Sequence, residues 1–193
     1  MRYRILVSLL AVTIGVAYAK TKLLEDVPLQ WKPTSALTLG AMELPQSAIQ
    51  LDTFTDQRNN PQAIGENRED EGKPKPVTTK DDVGAFVSTH MRELLSKAGL
   101  TTVDANGTVT IKGEVKQFFV TETNTYQAQL VVHLTVVGHN GATLWSGLAS
   151  GEANRFGRSY KLENYHEALS DAIVDATSSM LKSAELQKVL AGH

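Results

Sequence analysis

Residues 126–136 constrain this chain more than any other stretch. Tyr126, Ala128, Leu130, Val132, Leu134 and Val136 put an apolar side chain at every second position without a break. Side chains alternate between faces along a strand, so this run predicts one long strand with one buried face. Gln127, Gln129, His133 and Thr135 leave the opposite face polar, as suits an antiparallel sheet with one solvated side. The same alternation precedes it, with Val109, Ile111, Val115 and Phe119 set against Thr110, Lys112, Glu114 and Lys116. A third strand follows the turn Gly138-His139-Asn140-Gly141 and runs over 143–153, with Leu144, Trp145 and Leu148. Together the three predict an antiparallel meander.

Two segments change to a helical period. Over 79–99, Val83, Phe86, Val87, Met91, Leu94, Leu95 and Ala98 recur at three- and four-residue steps. Thr79 is the expected cap, Asp81 and Asp82 suit the first turn, and Gly99 suits the position after the helix. Over 164–190, Tyr165, Ala168, Leu169, Ala172, Ile173, Ala176, Met180, Leu181 and Ala184 form a second stripe, with Asn164 and Glu167 as a capping box. Shorter strands are expected at 36–44, 48–55 and 100–103, with Pro45 dividing the first two. One stripe per helix and one apolar face per strand predict an α+β domain. Its two helices pack on one face of an antiparallel or mixed sheet of four to five strands, a two-layer sandwich.

The ends of the chain read differently. Residues 1–19 have the parts of a secretory signal: Arg2 and Arg4, an apolar run over 5–16, and the small-residue site Ala17-Tyr18-Ala19. The run is short of the ~20 residues that span a bilayer, and an uncleaved anchor is the alternative. No later segment reaches transmembrane length. Residues 20–35, with Pro28, Trp31 and Pro33, read as an extended N-terminal arm with Trp31 docked on the domain. The single domain covers 36–193. Inside it, 56–79 reads as a long mobile loop rich in Asn, Pro, Gly and charge, in which Ile64 and Val77 stand out as apolar. A loop of this length is either functional or without fixed structure.

Composition closes most catalytic classes. The 193 residues include no Cys, which removes disulfides, thiolate metal sites and thiol nucleophiles. Lys and Arg number 19 against 21 Asp and Glu, a net charge of -2, which argues against a nucleic-acid partner. His90, His133, His139, His166 and His193 make no HExxH and no i, i+4 pair, so no metal or cofactor is expected. Glycine-rich phosphate loops and serine elbows are missing, and no catalytic residue is assigned.

Two constellations remain. Asp52 and Asp56 are four apart on an expected strand and so share a face, with Arg58 following. They are either the paired carboxylates of a glycan hydrolase, or Asp56 closes the strand by bonding the loop backbone. Residues 154–161, Asn-Arg-Phe-Gly-Arg-Ser-Tyr-Lys, interleave three cations with two aromatics between strand and helix. Guanidiniums fork onto anions, and aromatic faces stack on sugars or cations. The plainer reading is a structural loop whose arginines pair with Glu152, Glu163 or the acidic loop. The candidate ligand- or partner-binding residues are therefore Arg155, Phe156, Arg158, Tyr160, Lys161, Asp56 and Arg58.

The run Leu-Asp-Thr-Phe-Thr-Asp-Gln-Arg at 51–58, the pair Ile64-Gly65, the helix end Lys97-Ala98-Gly99-Leu100, and Leu144-Trp145-Ser146-Gly147 form a pattern. It resembles the YajG-like family of bacterial cell-envelope lipoproteins. More distantly, the architecture is similar to that of the lipopolysaccharide-assembly lipoprotein. The resemblance runs from about residue 36 to the second helix. It implies a non-enzymatic envelope protein with no catalytic residues to transfer. Members typically carry a lipid-attachment cysteine after the signal; this chain has none. A periplasmic protein, either free or peripheral to the outer membrane, fits the Ala17-Tyr18-Ala19 site. The expected function is a non-catalytic binding or assembly module contacting an envelope protein, glycan or lipid headgroup. A glycan hydrolase and a structural subunit of an oligomer are the alternatives.

Overall fold

The computed structural model describes residues 23–38, 47–69 and 72–192. The expected signal at 1–19 and most of the expected strand at 36–44 lie outside them. Among the described residues there are eight strands and three helices. The long meander is present as β6 (Val109–Glu122), β7 (Thr125–Gly138) and β8 (Thr143–Phe156). The other strands are β1 (Ile49–Leu51), β2 (Thr55–Asp56), β3 (Ala63–Asn67), β4 (Lys75–Thr78) and β5 (Thr102–Val103). β7 lies on one side of β6, antiparallel to it, with β8 beyond. On its other side β1, β2 and β3 line up one after another, all parallel to β6. β5 sits outside β1, and β4 sits outside β3. The sheet is mixed, as expected, with eight strands in place of four to five.

The extra strands come from segments too short to show a period. The stretch expected to be a mobile loop at 56–79 supplies β3 and β4, an antiparallel pair joined to the end of β6. Ile64 and Val77, its two conspicuous apolar residues, are both fully buried. The expected strand at 48–55 is interrupted between β1 and β2, where Phe54 turns into the core at 2% exposure.

β7 follows its alternation: Tyr126, Leu130, Val132, Leu134 and Val136 are all buried. β6 does not. Its register shifts between Val115 and Gln117, and this bulge moves the buried set from odd to even positions. Val109, Ile111 and Val115 point inward before it; Phe118, Val120 and Glu122 point inward after it. Phe118, not Phe119, is the core aromatic.

The helices α1 (Val83–Lys97) and α2 (Leu162–Leu181) pack their stripes on this buried face. Asp82, rather than Thr79, caps α1 by accepting from the Ala85 N–H at 2.9 Å. Gly99 follows α1 at φ 88°, as expected. The second stripe divides in two. α2 begins at Leu162 with no side-chain cap, so Asn164 lies inside the helix. A separate α3 (Ala184–Leu190) starts where Ser183 takes extended backbone and caps the Leu186 N–H at 3.3 Å.

The N-terminal arm is extended and clipped over the helices. Trp31 stacks on His90 of α1, with ring centroids 4.2 Å apart and planes 7° apart. Asp171 of α2, 8% exposed, accepts from the Thr34 N–H (2.7 Å), Thr34 Oγ1 (2.5 Å), Ser35 N–H (2.8 Å) and Ser35 Oγ (2.9 Å). Burial would raise this carboxyl, but the Thr34 and Ser35 bonds outweigh burial and hold it below the ordinary aspartate value. Ser170 Oγ accepts from the Lys32 N–H, and His166 below bonds the Pro28 carbonyl. Asp171→Ala is expected to cost about 1.5–3 kcal/mol, because the arm loses its hydrogen bonds to an ionised acceptor. Limited chymotrypsin digestion checks the release: cleavage after Trp31 should accelerate while the remainder stays folded.

Candidate functional site

The cationic–aromatic segment divides at the end of β8. That strand runs to Phe156, so Arg155 and Phe156 lie on it and point to opposite faces. Arg155 points inward. Its Nη1 donates to Thr34 Oγ1 at 2.9 Å and its Nη2 pairs with Glu167. It is a clasp for the arm. Phe156 points outward and is 93% exposed.

Residues 157–161 then form a turn of unusual backbone. Ser159 and Tyr160 hold φ of 151° and 51°, and Gly157 holds 153°. Consecutive positive φ at two residues with side chains needs outside support. Glu122, fully buried at the end of β6, supplies it. Its Oε1 accepts from the Ser159 N–H (3.0 Å) and the Tyr160 N–H (2.8 Å). Its Oε2 accepts from the Tyr165 hydroxyl at 2.7 Å. Burial alone would raise this carboxyl; bonds from Asn67, the Tyr160 backbone, Tyr165 and Tyr126 outweigh burial and hold it below the ordinary glutamate value. Burial, then the charge of Glu122, pushes the Tyr165 hydroxyl far up, so it stays a neutral donor. Tyr160 is tied at its other end, where its hydroxyl donates to the Pro76 carbonyl (2.7 Å) and accepts from the Leu24 N–H (3.0 Å).

Of the expected binding residues, Phe156, Arg158 and Lys161 therefore project from one rigid turn, whereas Tyr160 builds it. Arg158 is 66% exposed; its Nε lies 3.3 Å from Glu69 and its Nη2 donates to Asn124. Lys161 gives its N–H to the Tyr126 hydroxyl and keeps an exposed side chain.

Asp56 and Arg58 are elsewhere. Asp56 pairs with Val115, seven residues before Glu122 on β6, roughly 20 Å away at the rise of a strand. Arg58, 6% exposed, grips Asp56 with two bonds of 2.9 and 2.8 Å. Its Nη1 also donates to the Ala63 and Phe118 carbonyls at 2.6 and 3.2 Å. Burial would raise the Asp56 carboxyl, but the Arg58 bonds outweigh burial and keep it low, the reverse of what a general acid needs. Asp52 opens onto a groove with Lys112, Glu114 and His133, and Asp56 onto another with Thr79, Asp81 and Val83. The break after β1 is what separates them, so the two carboxylates do not share a site.

Sequence reasoning missed the Glu122 hub and one cross-strand trio. Ser146 Oγ is 2.9 Å from His133 Nε2, and His133 Nδ1 is 3.7 Å from Glu114 Oε2. The trio is assembled by sheet register, which sequence spacing does not display. It lies on the open face, with the Glu114 carboxylate paired to Lys116 at 2.7 Å and Ser146 Oγ also donating to the Leu134 carbonyl. His133 and Glu114 are 39% and 46% exposed. The trio stays open to solvent, and the 3.7 Å from His133 Nδ1 to Glu114 Oε2 is longer than a hydrogen bond. Among the described residues no cluster of metal-ligating side chains occurs, and no helix is long and apolar enough to cross a membrane.

A meander-centred mixed sheet, helices on one face and a braced surface turn define a small two-layer α+β domain. Its family is an uncharacterised bacterial lipoprotein family: the chain belongs to Lipoprotein_16, whose model matches residues 43–191. That membership makes it an envelope-associated protein. No protein of curated function matches the sequence. Among solved structures, the protein XCC0632 of Xanthomonas campestris, from the family DUF330, is similar with a TM-score of 0.60 and 10% identity over 83% of this chain and 96% of that one. At that identity the likeness bears on the fold alone. PelC of Paraburkholderia phytofirmans, a dodecamer, gives a TM-score of 0.45 and 14% identity over 74% of this chain and 92% of that one. Lipoprotein GNA1162 of Neisseria meningitidis gives 0.36 and 14% identity over 56% and 83%.

Proposed function

We propose that the protein is a YajG-like, non-catalytic binding or assembly module of the periplasmic side of the cell envelope, and that it holds its partner at the turn bearing Phe156, Arg158 and Lys161. One observation carries this reading. A 93% exposed phenylalanine stands two residues before an exposed arginine, at the start of a turn whose positive-φ residues Ser159 and Tyr160 are held by a buried carboxylate. Exposed aromatic–arginine pairs fit a partner with an anionic group beside an apolar or ring surface. An envelope protein, a glycan and a lipid headgroup each offer that chemistry. The hydrolase alternative has little support in Asp56, whose carboxylate stays ionised in its pair with Arg58.

The test is a crosslinking pull-down from envelope extract, read by mass spectrometry, with a Phe156→Ala/Arg158→Ala double variant beside the parent protein. A partner that is captured by the parent and reduced at least tenfold by the variant supports the assignment. Equal capture by both would move the site off this turn. Arg155 is left intact in the variant because its loss would free the arm as well.

A further inference from the structure

Among the described residues the sheet has four outer strands, β2, β4, β5 and β8, and they are treated unequally; β2 is only two residues long. β4 carries Lys75 and Pro76, and the arm covers it through Val27 N–H to Thr78 O (2.8 Å) and Thr78 N–H to Leu24 O (2.9 Å). β5 is two residues long. β8 is fourteen residues long, and residues 143–151 contain no charge and no proline. Among the described residues, only β7 pairs with it. Long, neutral, unpaired edges are what folded proteins otherwise avoid, with lysine, proline, bulges or covers.

Both ends of this edge are closed. A register shift opposite Val136 and Val137 places a bulge at Leu144. At the other end the Glu152 N–H, which faces away from β7, is taken by Asp175 Oδ2 of α2 at 3.0 Å. The direction of that bond shows that even-numbered residues of β8 turn their backbone groups outward. Among the described residues the window left open is 145–151, and its outward residues are Ser146, Leu148 and Ser150.

We propose that β8 pairs antiparallel with β8 of a second copy of this chain, about a two-fold axis at Leu148. The window reads the same from both ends, as Ser-x-Leu-x-Ser. An antiparallel two-fold pairing sets Leu148 against its own copy and Ser146 against Ser150. All three outward residues are then matched, with about six backbone hydrogen bonds, two per pair. The inward side chains of the window are Gly147, Ala149 and Gly151 beside Trp145, small enough to let two backbones approach. No like charges meet, because the window has none. Leu148, 63% exposed in one chain, gains an apolar partner across the axis. The pairing does not depend on the turn at Phe156. It places the two turns at opposite ends of a continuous sheet, roughly 50 Å apart at the strand rise.

The chain's lack of cysteine makes the test direct. The full protein, purified as the cell processes it, is studied by analytical ultracentrifugation beside Leu148→Lys. A single-cysteine Leu148→Cys form is treated with a short bis-maleimide beside Gln127→Cys, an exposed control on β7. The expected result is a two-chain mass for the parent, one chain for Leu148→Lys with unchanged circular dichroism, and crosslinked dimer from Leu148→Cys at least tenfold above the control. A single-chain parent, a Leu148→Lys form that still dimerises, or equal crosslinking at both cysteines overturns the pairing.

Discussion

Glu122→Ala should lower the free energy of unfolding by about 3–5 kcal/mol, although no exposed residue changes, since each stranded buried donor costs about 1–3. The donors are the Ser159 and Tyr160 N–H groups and the Tyr165 hydroxyl. Denaturant titration at neutral pH measures the loss. Glu122→Gln keeps the shape and should fall between parent and alanine form. The acid limb separates charge from shape. Glu122 sits below the ordinary glutamate value of 4.5 when folded. Its stabilising contribution is therefore complete above that value and disappears as pH falls through the lower folded one. The glutamine form should lose less stability than the parent over that interval. A parent and glutamine form with the same acid limb would show that the carboxylate's charge contributes nothing. Because the hub holds the turn, the alanine form should also lose the partner captured through Phe156 and Arg158.

Gly151→Val should be comparably severe. A Cβ at Gly151 would stand 2.1 Å from the Ala172 carbonyl oxygen and 2.3 Å from the Ala176 nitrogen. Both are backbone atoms of α2, which cannot swing aside as a side chain can. The helix would have to lift from β8 along its length, at a cost of about 3 kcal/mol or more. Asn154→Val, on the exposed face of the same strand, should stay within about 0.5 kcal/mol of the parent. Thermal melts of the two variants side by side make the comparison, and a Gly151→Val melt close to the parent's would refute so tight a helix–strand contact.

The parts of this fold legible in the sequence were those with a long period. β7 could be read residue by residue because every second position from 126 to 136 is apolar, and the α1 stripe recurs over four turns. The bulge in β6 could not be read, because Phe118 and Phe119 offer an aromatic to either phase. β3 and β4 were hidden for a different reason. Each contributes one fully buried aliphatic, Ile64 or Val77, and a single residue has no period. The arm's dock was only half visible. Trp31 announced a contact, but its other anchors are Ser170, Asp171 and Ser178, polar residues of α2 that look like a solvated face until the arm lies on them. For the site, the exposed members of the 154–161 segment were legible from their composition. The division between Arg155 and Phe156 was not, since it depends on β8 continuing three residues past its apolar pattern. Glu122 was invisible because, apart from the nearby Tyr126, its donors come from distant places: Asn67, Ser159, Tyr160 and Tyr165.

The arrangement around β6 also sets an order in time. β1, β2 and β3 all rest on one side of that strand, yet each precedes it in the chain by about fifty to sixty residues, as in Ile49 with Val109 and Gly65 with Val120. A chain made or threaded from its N-terminus presents these three strands before the strand that receives them exists. β6, β7 and β8, joined by tight turns, can zip together as soon as they emerge. The early segments must then come back to a platform built later. Until that happens Ile49, Leu51 and Ile64 face water, and this waiting interval is when a chaperone would find the chain most exposed.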